Sequence, residues 1–214
     1  MSFHGWPAEA LEFFEGLEAE NSRIYWQRHR ETYDTCVLAP LLALLDELEP
    51  RWGPGHVLRP YRDIRFSKDK SLYKTTAAAT LAGGGYVQLS ADGLLVGTGL
   101  YTMARDQLDR YRRAVADEDS GRRLHRAIAK TERAGPTVHA VQRLKTAPRG
   151  YPRDHPRIEL LRNKSLYAGQ SWPAGPWLGT SEARDRVERA LRATRPLQRW
   201  LDEFVGDSHE PPAR

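Results

Sequence analysis

The chain has 214 residues, of which 33 are lysine or arginine and 28 are aspartate or glutamate, so its net charge is +5. With 40% hydrophobic residues and no apolar run of bilayer length, the composition excludes a disordered chain and a membrane-spanning protein. The single cysteine, Cys36, excludes an internal disulfide framework, and the N-terminus lacks the features of a signal peptide, so we expect a cytoplasmic protein.

The N-terminal part of the chain has the pattern of helices. A first helix is predicted over Pro7–Gly16, and Asn21 or Ser22 is suited to cap a second one. Pro40 is expected to kink or restart this second helix, and the breaker cluster at 50–55 ends it. The predicted buried stripes are Leu11, Phe14 and Leu17; Trp26, Tyr33 and Val37; and Leu41, Leu44, Leu45 and Leu48.

The middle of the chain has the pattern of strands. Four segments are predicted to be extended: 58–66, 75–82, 86–90 and 94–101. The turn sequence Ala91-Asp92-Gly93 between the last two predicts a β-hairpin.

Helices resume in the C-terminal half. Helices are predicted over 104–116 and around Leu124 and Ile128, and a C-terminal helix begins after Ser181 and is interrupted at Pro196. Two other segments are predicted to be irregular: 146–156, and 169–179 with Trp172 and Trp177 packed against the body; 158–166 is predicted to be a short helix or turn. This order predicts an α+β fold, with an antiparallel sheet between N-terminal and C-terminal helices. We expect one domain over 1–206 and a disordered tail over 207–214.

Residues 62–74 hold an unusual density of charge. The segment contains the cations Arg62, Arg65, Lys68, Lys70 and Lys74, the carboxylates Asp63 and Asp69, and the rings Phe66 and Tyr73. If 61–66 is a strand, Asp63 and Arg65 share one face, so Asp63 orients Arg65 and leaves donors free for a phosphate or carboxylate. The alternative is an exposed edge strand whose charges are simply solvated.

The same segment resembles the signature of a conserved-hypothetical family, domain of unknown function 2461, which is found mainly in bacteria. The resemblance extends over nearly the whole chain, to about Val205. It is carried by Phe3-His4-Gly5-Trp6-Pro7, Asn21, Arg23, Tyr25, Trp26, Tyr33 with Pro40, 144–151 and Asp154-His155-Pro156. The chain departs from the family at Ser71-Leu72, where a proline is usual, and at Glu20-Asn21, where two asparagines are usual. The resemblance implies that 62–74 is a site, and it implies no particular reaction.

A second candidate cluster lies near the predicted loop at 146–156. It comprises Lys145, Arg149, Tyr151, Arg153, Asp154, His155 and Lys164. A carboxylate beside a histidine could tune acid–base chemistry. The pattern favours the alternative, in which Asp154 caps the turn before Ile158 and His155 packs in the loop.

The glycines of Gly97-Thr98-Gly99 do not form a dinucleotide fingerprint, because the third glycine is missing. They predict the close approach of a helix or a side chain, or else the floor of a ligand pocket. The sequence also has no P-loop, no paired-cysteine zinc site and no nucleophile elbow, so no metal or cofactor is predicted.

Three functions fit these observations, in decreasing order of preference. The first is an enzyme or ligand-binding domain for an anionic, phosphate-bearing small molecule, held by Arg62, Arg65, Lys68, Lys70 and Lys74; the catalytic candidates are Asp63, Tyr73 and His155. The second is a nucleic-acid-binding protein whose Phe66 and Tyr73 stack on bases. The third is a partner-binding protein in which the charges form a buried salt-bridge network. Oligomeric state and ligand identity are left open.

Overall fold

The computed structural model describes residues 2–63, 65 and 69–210. The chain folds as two compact units. The first unit is Met1–Val96 with Ser171–Arg189, and the second unit is Gly97–Gln170 with Ala190–Arg214. In the described part of the chain, no helix combines the length and the apolar character that crossing a bilayer requires.

Helices and strands are arranged as an α+β fold, as predicted. The helices are α1 (Ala8–Ala19), α2 (Arg23–Arg28), α3 (Arg30–Thr32), α4 (Ala39–Trp52), α5 (Arg105–Ala116), α6 (Glu118–Arg133), α7 (Ile158–Leu161) and α8 (Glu182–Phe204), with a π-helical turn at Tyr33–Leu38 and a 3₁₀ turn at Pro176–Gly179. The strands are β1 (Gly55–Val57), β2 (Thr76–Leu81), β3 (Tyr86–Ser90), β4 (Gly93–Leu100), β5 (Thr137–His139) and β6 (Leu166–Pro173). They form one open antiparallel sheet in the order β1-β2-β3-β4-β6-β5.

The N-terminal helices follow the predicted pattern closely. Ser22 caps α2, because its Oγ accepts the N–H of Tyr25 at 3.0 Å. In α1 the stripe is shifted from the predicted one, since Phe13 is buried and Leu11 is only half-buried. The stripe predicted for α4 is confirmed, with Leu41, Leu44, Leu45 and Leu48 all buried.

Pro40 restarts the helix, as expected. It stands in the first turn of α4, directly after the π-helical turn Tyr33–Leu38. A proline ring crowds the carbonyl four residues back in an ordinary α-helix, and proline has no N–H to donate. The wider π turn lies where that crowding would fall, so the chain stays helical through the proline.

The strand predicted over 58–66 is wrong in the described residues. After β1 ends at Val57, pairing is reduced to an isolated antiparallel bridge between Tyr61 and Tyr73. Pro60 cannot donate to a ladder, and Asp63, which follows it, is a poor strand former. Phe66, where the predicted strand ended, lies outside the described residues.

Two strands and one helix differ from the prediction in the C-terminal half. β5 was not predicted, and β6 falls partly in a segment predicted as a loop, because its Gly169 and Pro173 suggested breaks. α8 runs through Pro196 without interruption. A proline inside a helix costs about 3 kcal/mol relative to alanine. Burial of Leu197, Trp200 and Leu201 on the same helix outweighs this cost.

The glycines of β4 lie against strand β6. A Cβ at Gly99 would stand 2.5 Å from the carbonyl oxygen of Leu166, and one at Gly97 would stand 3.0 Å from that of Ala168. A close approach is present, but the predicted neighbour, a helix or a side chain, is wrong, because the nearest atoms belong to the backbone of strand β6.

The second unit has its own core. Its large, fully buried side chains include Tyr111, Leu124, Leu161, Leu166 and Leu197. The segment after Gly206 is described as far as Glu210 and contacts α5. The carboxylate of Asp106 accepts the Ser208 hydroxyl and the His209 N–H, each at 2.8 Å. Residues 211–214 of the predicted tail lie outside the described residues.

Candidate functional site

Residues 61–73, here called the basic loop, leave and rejoin the sheet region at one point. Besides the Tyr61–Tyr73 bridge, the N–H of Arg62 donates to the Leu72 carbonyl at 3.0 Å, and that of Lys74 donates to the Pro60 carbonyl at 2.7 Å. The two ends of the segment therefore pair with each other and form a closed base. All of these residues belong to the first unit.

The side chain of Asn21 fixes the base of this loop. Its Nδ2 donates to the Tyr73 carbonyl at 3.1 Å, and its Oδ1 accepts the Tyr73 N–H at 2.9 Å. Tyr73 is bridged to Tyr61 on one side only. On its other side, the amide of Asn21 takes the place of a neighbouring strand. Because Asn21 lies just before α2, this pair of bonds ties the basic loop to that helix.

Two ion pairs form within the basic loop. Arg65 donates from Nε and Nη2 to the two oxygens of Asp63, at 3.0 and 2.7 Å, and Arg62 contacts Asp69 at 2.6 Å. The Arg65 bonds lower the pKa of Asp63 to about 2. Bonds from Ser71 are the main cause that lowers the pKa of Asp69. The predicted pairing of Asp63 with Arg65 is present, but it comes from local loop geometry and not from a strand face.

These pairs are not the buried network that the third function requires. The Arg65 side chain is 77% exposed, and that of Asp63 is 44% exposed. Exposed pairs of this kind contribute little to stability. Lys68 lies outside the described residues.

Tyr73 is buried at the base of the loop. It is 5% exposed, and its ring lies parallel to that of Trp26, with centroids 4.4 Å apart and planes 5° apart. Burial raises the pKa of the Tyr73 phenol, so it stays protonated at neutral pH. The burial of this ring and its stacking on Trp26 do not fit the predicted stacking of Tyr73 on a nucleic-acid base. Phe66, the other ring in that prediction, is outside the described residues.

An open pocket of about 310 Å³ lies between α2–α3 and the base of the loop. We call it the aromatic-basic pocket. Its lining combines three rings with three polar side chains: Trp26, Tyr61, Tyr73, Arg23, Gln27 and Arg30. Tyr61 is 49% exposed, and the guanidinium of Arg30 lies 5.9 Å from the Trp26 ring centroid.

The two arginines of this pocket differ in their partners. Arg30 donates from Nε to Asp34 at 2.8 Å, which is the main cause that raises its pKa. Arg23 has no carboxylate within ion-pair distance among the residues that the structure describes. A guanidinium without a counter-ion is suited to bind a planar or tetrahedral oxyanion.

Sequence reasoning did not assign this pocket. It named Arg23 only as a family-like residue and Trp26 as a family-like residue of a buried stripe, and it gave Gln27, Arg30 and Tyr61 no role. The missed signal is spacing, because positions 23 and 27 share one face of α2, and Arg30 follows at the start of α3. Conversely, the predicted anion ligands Arg65, Lys70 and Lys74 are not among the residues that line the pocket.

His155 belongs to the second unit, whereas the basic loop belongs to the first. Its Nδ1 accepts the Arg157 N–H at 3.0 Å, and its carbonyl accepts the Ile158 N–H at 2.9 Å. The alternative of a loop-packed histidine fits this geometry. The side-chain bond in this turn comes from His155, however, and not from Asp154 as predicted. In the described residues no cluster of three or more His, Cys, Asp or Glu side chains is arranged to hold a metal.

Comparison with models of protein families identifies the family of this chain. The model of the family described as "Conserved hypothetical protein (DUF2461)" matches residues 9–200. The chain belongs to the DUF2461 family. The match contains Asn21, all of α2 and the entire basic loop, so each of these features lies within the DUF2461 region.

Comparisons with curated proteins and with solved structures add no information about function. None of the curated proteins compared with this DUF2461 chain matches it. It is similar to the crystal structure of an uncharacterized protein from Methanothermobacter thermautotrophicus, with 13% identity over 75% of this chain and 94% of the other and a TM-score of 0.39. A likeness at this level does not establish a shared function.

Proposed function

We propose that this protein binds an anionic, phosphate-bearing small molecule in the aromatic-basic pocket. The observation that carries the proposal is Arg23, a cation without a carboxylate partner in the described residues, which lines a pocket beside a second arginine. The pocket volume of about 310 Å³ is at the small end of the range for small-molecule sites. Both arginines offer forked donors that match phosphate oxygens.

The basic loop supports this site through its charge. Arg62, Arg65 and Lys70 are in the basic loop, whose base forms part of the pocket wall, and Lys74 directly follows it. These four cations outnumber the two carboxylates Asp63 and Asp69, which pair with Arg65 and Arg62, so a net positive charge remains that attracts an anionic ligand and raises its association rate. In this proposal the predicted anion-binding cations steer the ligand, while Arg23 and Arg30 hold it.

Of the three catalytic candidates, Tyr73 is the one that lines the pocket. With a raised pKa its phenol is a proton donor and not a base. Asp63, with a pKa of about 2, is a weak base, so its role in the proposal is to orient Arg65. If the protein catalyses a reaction on its ligand, Tyr73 is the residue that we assign to proton transfer.

Nucleic acid is the second candidate ligand. The half-exposed Tyr61 beside two arginines is the combination that single-stranded nucleic acid uses for stacking and backbone contact. Against it, the carboxylates of Asp63 and Asp69 lie in the same loop and would repel a phosphate backbone.

A thermal-shift series tests the proposal, with inorganic phosphate, sugar phosphates, nucleotides and short oligonucleotides as probes. A small anion at about 100 times its Kd is expected to raise the Tm by about 5–10 °C. Arg23→Ala should abolish that shift, and Arg65→Ala should weaken it. Arg28→Ala is the matched control, because Arg28 is exposed on the same helix and does not line the pocket.

Two results would count against the proposal. A shift with oligonucleotides alone that disappears as salt is raised would favour nucleic acid. The absence of any shift, in a wild-type protein that unfolds cooperatively, would refute small-anion binding at this pocket.

A further inference from the structure

We infer that the ligand of the aromatic-basic pocket carries a flat aromatic ring as well as its anionic group, as a nucleoside phosphate does. This inference rests on the proposed function and specifies the ligand class. It follows from how the three rings of the pocket are used.

Two of the rings are engaged with each other. Trp26 and Tyr73 are stacked in parallel, and both are nearly fully buried, at 4% and 5% exposure. They form a rigid floor. Tyr61 is tilted against both of them, with ring centroids 6.2 Å from Trp26 and 5.3 Å from Tyr73, and half of its surface remains open.

Tyr61 is therefore a pre-positioned stacking surface. It is held by the floor on one side and by its bridge to Tyr73 along the backbone. A fixed ring loses little conformational freedom when a ligand ring lies on it, so more of the stacking energy appears as affinity.

The polar side of the pocket suits the rest of such a ligand. Arg23 on α2 and Arg30 on α3 provide guanidinium groups for a phosphate, and Gln27 of α2 lies between them in sequence. A glutamine amide offers both donor and acceptor atoms, which is what the edge of a nitrogen heterocycle requires. Inorganic phosphate or a sugar phosphate would use the arginines and leave Tyr61 uncovered.

A longer strand of nucleic acid is less suited to this site. Strand binding uses several stacking rings in succession along a basic groove. Among the described residues that line the pocket, Tyr61 is the one ring with substantial exposure. One open ring and two arginines match a single nucleotide unit.

Equilibrium titrations of the four ribonucleoside 5′-monophosphates and of ribose 5-phosphate test the inference. At least one nucleotide is expected to bind about 5- to 150-fold more tightly than ribose 5-phosphate, since stacking on one aromatic side chain has this effect. Tyr61→Leu should remove the difference, and Tyr61→Phe should keep it. Arg23→Ala should weaken every probe, because it acts on the shared phosphate.

Tyr101→Leu is the matched control, because Tyr101 is an exposed tyrosine of the second unit and is 65% exposed. Equal binding of nucleotides and ribose 5-phosphate, unchanged in a folded Tyr61→Leu protein, would overturn the aromatic ligand class and leave the proposed anion site standing. Failure of every probe to bind would overturn both.

Discussion

Asn21 is the residue on which the candidate site depends most. Its amide presents a donor and an acceptor with the spacing of a peptide group, so one side chain satisfies both the N–H and the carbonyl of Tyr73. Neither an aspartate nor a serine can do this, because an ionised carboxylate has no donor and a hydroxyl cannot span both atoms. The identity of this residue therefore decides whether the base of the basic loop is tied to α2.

Removal of this amide should be costly. We expect Asn21→Ala to lower the free energy of unfolding by about 1–3 kcal/mol, the range for leaving partly buried backbone groups without partners. Asn21→Asp should not restore it, because a carboxylate oxygen would then face the Tyr73 carbonyl. Urea denaturation measures both, with Gln27→Ala, an exposed amide on the adjacent helix, as the control. If Asn21→Ala lowered the free energy of unfolding no more than Gln27→Ala does, the role assigned to the Asn21 amide would be contradicted.

Local residue chemistry was predictable, and long-range pairing was not. The Ser22 cap and the restart at Pro40 follow from the residue types themselves. The contact of Asn21 with Tyr73 joins positions 52 apart, and a single sequence contains no signal for that distance. The sequence drew attention to Arg65 because of its charge-dense neighbourhood, whereas Arg23 became a candidate only when the fold placed it beside Tyr61.

At the level of elements, the contact of β4 with β6 is the tightest constraint in the sheet of the second unit. Gly99 has φ +118, and an added Cβ would lie 2.5 Å from the Leu166 carbonyl oxygen. Both the backbone conformation and the space therefore require glycine there.

Gly99→Ala should lower the free energy of unfolding by about 3 kcal/mol or more, because it combines a disfavoured backbone with overpacking. Gly150→Ala isolates the first of these effects, since Gly150 has φ +88 and nothing within 4 Å of an added Cβ. That variant should lose only about 1–2 kcal/mol. Chemical denaturation of both proteins checks the ranking, and equal losses would show that the β6 contact imposes no steric cost.

The sequence predicted correctly those elements that are stabilised by residues nearby in the chain, and it missed those that depend on distant partners. The hairpin of β3 and β4 was predicted because its turn and alternation are local. β5 and β6 were missed because their strands are stabilised by partners far along the chain. The strand predicted over 58–66 failed for the opposite reason, since an extended pattern there has only the single Tyr61–Tyr73 bridge to support it.

At the scale of the whole molecule, several carboxylates are set up to be ionised in the folded state. The pKa of Asp106 is strongly lowered, first by the His209 N–H, and that of Asp117 is lowered by the Ser120 N–H. A carboxylate with a lowered folded pKa contributes stability above its unfolded value of about 3.9. That contribution disappears as the pH falls through the folded value.

We therefore expect the Tm to change little between pH 7 and about 5 and to fall below about pH 4. Asp106→Asn should lower the Tm at pH 7, and its curve should begin to approach the wild-type curve below about pH 4, where the wild-type protein starts to lose the stability that the ionised carboxylate contributes. Asp109→Asn is the control, because Asp109 is exposed on the same helix. Calorimetric scans from pH 7 to 3 give the comparison. Parallel wild-type and Asp106→Asn curves throughout would show that the Asp106 carboxylate does not cause the acid sensitivity.

The two hydrogen bonds from Asn21 to Tyr73 also decide whether the basic loop can be moved into another protein. Residues 61–73 look like a self-contained loop, because they leave and return at one bridge. Two of the bonds that hold the closing residue, however, come from a side chain outside the segment. A synthetic peptide of the loop would lack these two bonds. A graft onto another scaffold would lack them too, unless the scaffold supplied an amide at the same place.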